Sequence, residues 1–214
     1  MSDPTAQMDV WKGDFGREYT DRNALSFEAF ENFFKENFGF TRTELNQKFL
    51  DSLDRNLRIL EVGSNVGNQL LILQRMGFEN LYGIELQSHA VELSKQRTKG
   101  INLLEGTAFD IPFKDDFFDL VFTSGVLIHI APKDLIRVFR EIYRVTRDYI
   151  WGFEYWAERC TEVSYRGHQS LLWKGDYAKL YLEAFSDLVL VKQEKLKYAK
   201  DPNVDAMFLL RKKR

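Results

Sequence analysis

The sequence predicts a doubly wound α/β sheet of about seven strands, mostly parallel with an antiparallel last strand, behind an N-terminal helical cap. Three observations carry this reading. Short apolar runs alternate with helical patterns from residue 57 to residue 185, as parallel strands joined by crossover helices do. The first run, Arg58-Ile59-Leu60-Glu61-Val62, enters the turn Gly63-Ser64-Asn65-Val66-Gly67-Asn68, and an apolar helical pattern (Leu70, Leu71, Leu73, Met76) follows at once. That succession is a buried strand, a tight loop and a helix N-terminus, the layout of a nucleotide cradle. The last two apolar runs have little chain between them, so they should pair antiparallel at an edge.

Residues 1–10 are polar and expected to fray. Phe27, Phe30, Phe33, Phe34 and Phe38 recur at helical spacing, predicting an amphipathic helical region over 25–53 whose phenylalanines pack inward. A strand at 57–62 is followed by a helix at 67–76, closed by Gly77, and a strand at 81–86. Ser88 is placed to cap a helix reaching about 98, with Gly100 as its stop. Strands at 101–104 and 119–124 come next. Pro132 opens a helix with Leu135, Ile136, Phe139, Ile142 and Tyr143 on one face. A fifth strand at 149–153, an irregular polar and aromatic insertion at 154–173, a helix at 177–185 and strands at 188–196 and 206–210 complete the chain. Residues 1–214 read as a single domain, with a lid and helical region at 1–53 and the core at 54–214.

Composition narrows the function. Thirty basic and 32 acidic residues give a net charge of −2, which disfavours nucleic acid as substrate. The basic run Arg211-Lys212-Lys213-Arg214 reads as a solvated end. Cys160 is the single cysteine and the three histidines lack ligand spacing, so neither a disulfide nor a metal site is expected. No apolar run approaches the ~18 residues of a membrane helix and no leader pattern is seen, so a cytoplasmic protein without membrane attachment is expected.

The glycine spacing selects the nucleotide. A dinucleotide fingerprint wants small residues at its first, third and sixth positions, here Gly63, Asn65 and Asn68, and the sixth fails. The lysine and Ser/Thr of a phosphate-binding loop are missing as well. What remains resembles the first motif of the class I S-adenosylmethionine-dependent methyltransferases, Glu/Asp-x-Gly-x-Gly-x-Gly, with Asn65 in place of the middle glycine. Tyr82-Gly83-Ile84-Glu85, then Gly106-Thr107-Ala108-Phe109-Asp110, then Phe118 to His129 resemble the following motifs. The resemblance implies a Rossmann-like fold with S-adenosylmethionine as cofactor. Gly63, Asn65 and Gly67 would form the cradle, narrowed by the asparagine side chain. Glu61 would hold the methionine ammonium and Glu85 both ribose hydroxyls. Asp110 would take the adenine amine beside the apolar wall of Phe109, and Thr123 and Ser124 would underlie the methionine and sulfonium.

The aromatic and charged start, Trp11 to Asn23, reads as a lid carrying Phe15 and Tyr19, or as a loop packed on the sheet. With the first motif it resembles the methylases associated with pseudaminic acid biosynthesis, which implies a nucleotide-linked or acidic sugar as acceptor. Methyl transfer needs alignment of nucleophile, methyl and sulfur, and a base where the acceptor is a hydroxyl or a protonated amine. His129, His168 and Glu154 are the candidates, each with a structural alternative: a packed helix-start residue for His129, a solvated loop for His168. Arg166 is placed to bind a substrate carboxylate or phosphate, and Tyr155 and Trp156 suit a sugar. Thr123-Ser124-Gly125-Val126 points to oxygen or carboxyl acceptors over planar amines. A nicotinamide-dependent oxidoreductase and a non-catalytic cofactor-binding accessory protein are the competing classes. The acceptor, a small molecule, and the oligomeric state stay open.

Overall fold

The computed structural model describes residues 5–213. Four helices come first: α1 (Ala6–Lys12), α2 (Asp14–Asn23), α3 (Phe27–Phe38) and α4 (Arg42–Leu50). Residues 6–10, expected to fray, belong to α1 instead, because the Thr5 side chain accepts the Met8 amide and Met8 is buried. The region 25–53 divides at Gly39, which stops α3 with φ +78°. Thr41 and Glu44 then form a reciprocal capping box that starts α4.

The alternating part runs β1 (Arg58–Val62), α5 (Asn68–Arg75), β2 (Asn80–Glu85), α6 (Ser88–Arg97), β3 (Asn102–Glu105), β4 (Phe118–Ser124), α7 (Leu135–Val145) and β5 (Thr146–Tyr155). A small ribbon, β6 (Thr161–Glu162) with β7 (Trp173–Lys174), occupies the insertion expected to be irregular. Helix α8 (Tyr177–Ala184) and the long strands β8 (Leu188–Lys197) and β9 (Val204–Lys212) close the chain. Seven strands form one sheet in the order β3-β2-β1-β4-β5-β9-β8. The first five are parallel, and β9 is antiparallel to both its neighbours. The predicted α/β sheet with an antiparallel last strand is therefore present, and β8 rather than β9 forms the edge.

Alternation along the strands feeds two cores. Val121, Ile150 and Phe208 face α7 and α8, where Phe139 and Tyr181 stack at 3.8 Å. Ile59, Phe122, Trp151 and Leu209 face Phe34 of α3, Leu45 and Leu50 of α4, and Leu70 of α5. Three local expectations change. Ile136 is 38 % exposed, and the buried stripe of α7 is Leu135, Val138, Phe139, Ile142 and Val145. Gln87, not Ser88, caps α6, its side chain accepting the His89 amide at 3.2 Å. The basic run is not a loose end: Arg211 and Lys212 lie in β9, and the Lys212 ammonium donates to the Thr146 carbonyl. Arg214 falls outside the described residues. No helix among them is long and apolar enough to cross a membrane.

Gly152 of β5 lets β9 approach, since a Cβ there would fall 2.2 Å from the Phe208 ring. Gly152→Ala is therefore expected to destabilise the fold by about 1–3 kcal/mol through overpacking. Urea denaturation measures it, and an unchanged midpoint would contradict the packing described.

Candidate functional site

The carboxyl ends of β1, β2, β4 and β5 meet the start of β9 along one edge of the sheet. At the end of β1, Gly63 adopts φ +76°, and a side chain there would fall 2.5 Å from Val126. Asn65 takes φ 45°, a left-handed conformation that asparagine tolerates better than most residues. Its amide donates to Glu85 Oε2 at 2.9 Å, and the Gln87 amide donates to Oε1 at 2.8 Å. Gly67, the N-cap of α5 with φ +79°, offers no side-chain acceptor, so nothing of its own competes for the first amides of that helix. Burial raises the pKa of the Glu85 carboxyl above its usual value, against the pull of these backbone donors.

Beneath the edge lies a charge cluster. Arg42, the first residue of α4, is wholly buried. Its Nε donates to Asn46 Oδ1 at 3.0 Å and its Nη2 to Ser124 Oγ at 3.4 Å. The guanidinium rests 4.2 Å from the Phe153 ring centre and 5.0 Å from that of Phe34. Desolvation pushes its pKa down to about 9, although Glu61, Asp205, Glu31 and Glu154 all favour the charge. Glu31 is held by the Thr43 amide at 3.1 Å and by the Thr43 hydroxyl. Burial drives Glu61 well above the carboxylate range, and its Oε2 has no hydrogen-bond partner. Asp205, at the start of β9, accepts the Tyr198 hydroxyl at 3.0 Å on Oδ2 and nothing on its buried Oδ1. Burial pushes it up to about 7.

Glu154, the penultimate residue of β5, accepts the Val126 amide at 3.2 Å and the Ile128 amide at 3.4 Å. It thereby pins the turn after β4, and burial pushes its pKa up to about 7. His129 ends that turn with Nδ1 2.7 Å from the Leu171 carbonyl. That nitrogen therefore carries the proton, and Nε2 is the acceptor of a neutral ring. Burial lowers the His129 pKa to about 4. The Trp11 ring lies 4.5 Å from the imidazole, with Tyr19 and Phe15 edge-on to the indole at 5.1 and 5.3 Å. Helices α1 and α2 thus roof the site. The Gln87 amide holds them by donating to the carbonyls of Lys12 (2.9 Å), Gly13 (3.2 Å) and Trp11 (3.3 Å).

These elements enclose a cavity of about 360 Å³. Of the residues singled out from sequence, Glu61, Gly63, Asn65, Glu85, Phe109, Ser124, Tyr19, His129 and Glu154 line it. Gly67 and the buried Thr123 stand just behind, Thr123 bonded to Glu154. Four positions differ from expectation. Asp110 turns outward and is exposed, because a bridge to Thr107 reverses the chain and leaves Thr107, Ala108 and Phe109 on the wall. His168 sits in an exposed Tyr165–His168 turn, its ring against Phe15 at 5.0 Å. Phe15 packs between Trp11 and that turn, outside the wall. Arg166 of the same turn is exposed too.

Several wall residues had not been singled out. Tyr165, Tyr198 and Gln87 carry no local signal. Asp205 does: an acid next to an apolar strand run, excluded when that strand is started at 206. Arg42, beneath the wall, hides inside a capping motif, where a charged residue at a helix start looks solvent-facing.

Residues 60–149 match the family model described as a methyltransferase domain. Among curated proteins, the chain is 25 % identical over 133 residues to the phosphoethanolamine N-methyltransferase of Plasmodium falciparum, covering 59 % of this chain and 49 % of that protein. It is 33 % identical over 100 residues to 2-methyl-6-phytyl-1,4-hydroquinone methyltransferase 2 of rice, covering 45 % and 28 %. The chain thus spans half or less of the length of these relatives. The fold matches the crystal structure of Burkholderia thailandensis 1,6-didemethyltoxoflavin-N1-methyltransferase with bound 1,6-didemethyltoxoflavin and S-adenosylhomocysteine, at a TM-score of 0.73 and 15 % identity over 100 % of this chain and 94 % of that one.

Two outcomes are expected. Arg42→Met leaves buried carboxylates without their cation and should cost about 3–5 kcal/mol of stability, read by chemical denaturation; a loss under about 1 kcal/mol would refute the cluster. Glu154 has a folded pKa raised from 4.5 to about 7, so its contribution to stability is full below pH 4.5 and is lost as pH rises toward 7. Stability curves of the wild type and Glu154→Gln should therefore shift in the variant's favour over that interval, and parallel curves would place the ionised carboxylate in water.

Proposed function

We propose that this chain is an S-adenosylmethionine-dependent methyltransferase acting on a small polar molecule. The observation that carries the reading is the pairing of Glu85, at the end of β2, with the Gly63–Gly67 turn on one cavity wall. The donor set fits the cofactor. Glu61 Oε2, buried and free of partners, would take the methionine ammonium. Each Glu85 oxygen accepts one backbone amide and has lone pairs left for the ribose hydroxyls. Thr107, Ala108 and Phe109 would bound the adenine in place of Asp110. When bound, the cofactor supplies an electrophilic methyl on a sulfonium. The chain's own part is alignment and dryness: Trp11 and Tyr19 cover the cavity, and Ser124 to Val126, held by Glu154, form its floor.

A dinucleotide fits poorly. The Asn68 side chain stands at the helix start, bonded to the Asn23 carbonyl at 3.0 Å and to Arg97 at 3.1 Å. The methyltransferase relatives and the domain match support methyl transfer over the accessory reading. The resemblance to pseudaminic acid methylases extends the proposal to a sugar acceptor, and Tyr155 and Tyr198 on the wall suit a sugar face. An acidic sugar finds no basic side chain there. His129 keeps Nε2 unprotonated but, with its pKa lowered to about 4, is only a weak base for a hydroxyl acceptor.

Isothermal titration with S-adenosylmethionine, S-adenosylhomocysteine and NADH tests the cofactor, and micromolar binding of the first two alone is the expected result. Glu85→Ala should weaken both at least tenfold, as loss of a charged hydrogen-bond acceptor worth roughly 1.5–3 kcal/mol requires. Unchanged affinity in that variant would remove Glu85 from the ribose.

A further inference from the structure

The charge-bearing side chains on the cavity wall are all acidic. Glu61, Glu85, Glu154 and Asp205 reach it, and among the described residues no lysine or arginine does. The nearby cations are held elsewhere. Arg42 lies beneath the edge on Asn46 and Ser124. Lys174 donates to Asn203 and sits 5.3 Å from the centre of the Tyr155 ring.

Glu61 and Glu85 belong to the nucleotide cradle, whereas Asp205 stands on β9, two strands from β4. It is 3 % exposed, with Oδ2 engaged by Tyr198 and Oδ1 free of partners. Tyr155 lies opposite it across the β5–β9 pair, and Phe34 of α3 lines the same end. A desolvated carboxylate oxygen binds a charged donor far better than a neutral one, and aromatic faces attract cations. An anionic group would instead meet acidic side chains and no lysine or arginine on the wall.

The geometry points to an amine as the methyl acceptor, its nitrogen bound to Asp205 Oδ1 among Tyr155, Tyr198 and Phe34. This inference rests on the methyltransferase reading and departs from the oxygen acceptors that residues 123–126 suggest. The bound ammonium gives one proton to Asp205. The freed lone pair forms the N–C bond as the C–S bond breaks, and the bonding pair stays on the departing thioether sulfur. The methylated ammonium keeps one positive charge, and Asp205 releases its proton to solvent. Positive charge thereby passes from sulfur to nitrogen, toward preorganised carboxylates.

Full-length protein saturated with S-adenosylhomocysteine, titrated in turn with benzylamine, benzyl alcohol and benzoate, tests the acceptor class with three probes of one shape and different charge. Benzylamine should bind at least tenfold more tightly than benzyl alcohol, and benzoate should not bind. Asp205→Asn should erase that preference while S-adenosylhomocysteine affinity stays within about twofold, a control that also reports folding. Equal or better binding of the alcohol or benzoate overturns the amine acceptor, as does the absence of amine binding in protein that holds S-adenosylhomocysteine. Failure to bind S-adenosylhomocysteine strikes instead at the cofactor reading beneath it.

Discussion

Burying a carboxylate without a counterion favours its protonation, and the carboxyl edge of this sheet buries Glu61, Glu154 and Asp205 around a single guanidinium. Arg42 reaches that position through helices, not strands. The Thr41–Glu44 capping box starts α4 one residue earlier, and Glu31 of α3 grips Thr43 one residue later. The chain on either side of Arg42 is therefore fastened before the side chain turns inward. Phe153 and Phe34 then sandwich it with apolar surface, which strengthens every Coulombic interaction nearby. Helices α3 and α4 thus cover one core and also deliver the cation on which the site's charge balance depends. Arg42 stays beneath the cavity, so the wall itself carries acids and no basic side chain.

The roof depends on the same edge by a different route. Glu85 fastens the Asn65 and Gln87 amides, and the Gln87 side chain in turn takes three carbonyls at the end of α1. Carbonyls at a helix end need such partners. Arg97 of α6 likewise donates to the Ala24 and Leu25 carbonyls after α2, and to Asn68 of α5. The proposed ribose carboxylate and the lid are separated by one residue and two hydrogen bonds. Under the proposed function, a nucleotide held by Glu85 would bear on the seating of α1 through that short path.

Much of this was legible from residue patterns. Seven strand runs and their alternation with helices are local signals, and local signals survive folding well. The cradle was legible because Gly63, Asn65 and Gly67 must take positive φ, which few residue types accept. Differences arose where a tight turn decided which side chains face the cavity. Asp110 follows a strand as the resemblance requires, yet a bridge to Thr107 turns it to solvent. His168 shares an aromatic, glycine-containing segment with Tyr165, and only the tight turn between them exposes one and places the other on the wall. Asp205 and Arg42 were unreadable for a further reason. Each is a charged residue whose burial is favoured partly by the other, far away in the chain.

Glu154 and His129 show why a residue on the wall is not thereby a base. The Glu154 carboxylate already accepts the amides of the turn it supports, and removing a proton from substrate would compete with those bonds. Its distance from Asp205 is set by strand alternation. Glu154 pairs with Ala206 and Tyr155 with Asp205, so the two carboxylates leave opposite faces of the sheet and approach the cavity from either side. Asp205 has an oxygen that holds nothing, and Glu154 does not. His129 keeps an unprotonated Nε2, but its lowered basicity makes it a weak acceptor of a hydroxyl proton. An amine bound as its ammonium must first give one proton to Asp205, and once neutral it needs no further base, since the methylated product keeps the positive charge. A wall of carboxylates stabilises that charge without a strong base being present. The weak base and the acidic wall would therefore suit an amine acceptor, with Asp205 taking the one proton the bound ammonium must lose and the electrostatics of the cavity stabilising the charge that passes to nitrogen.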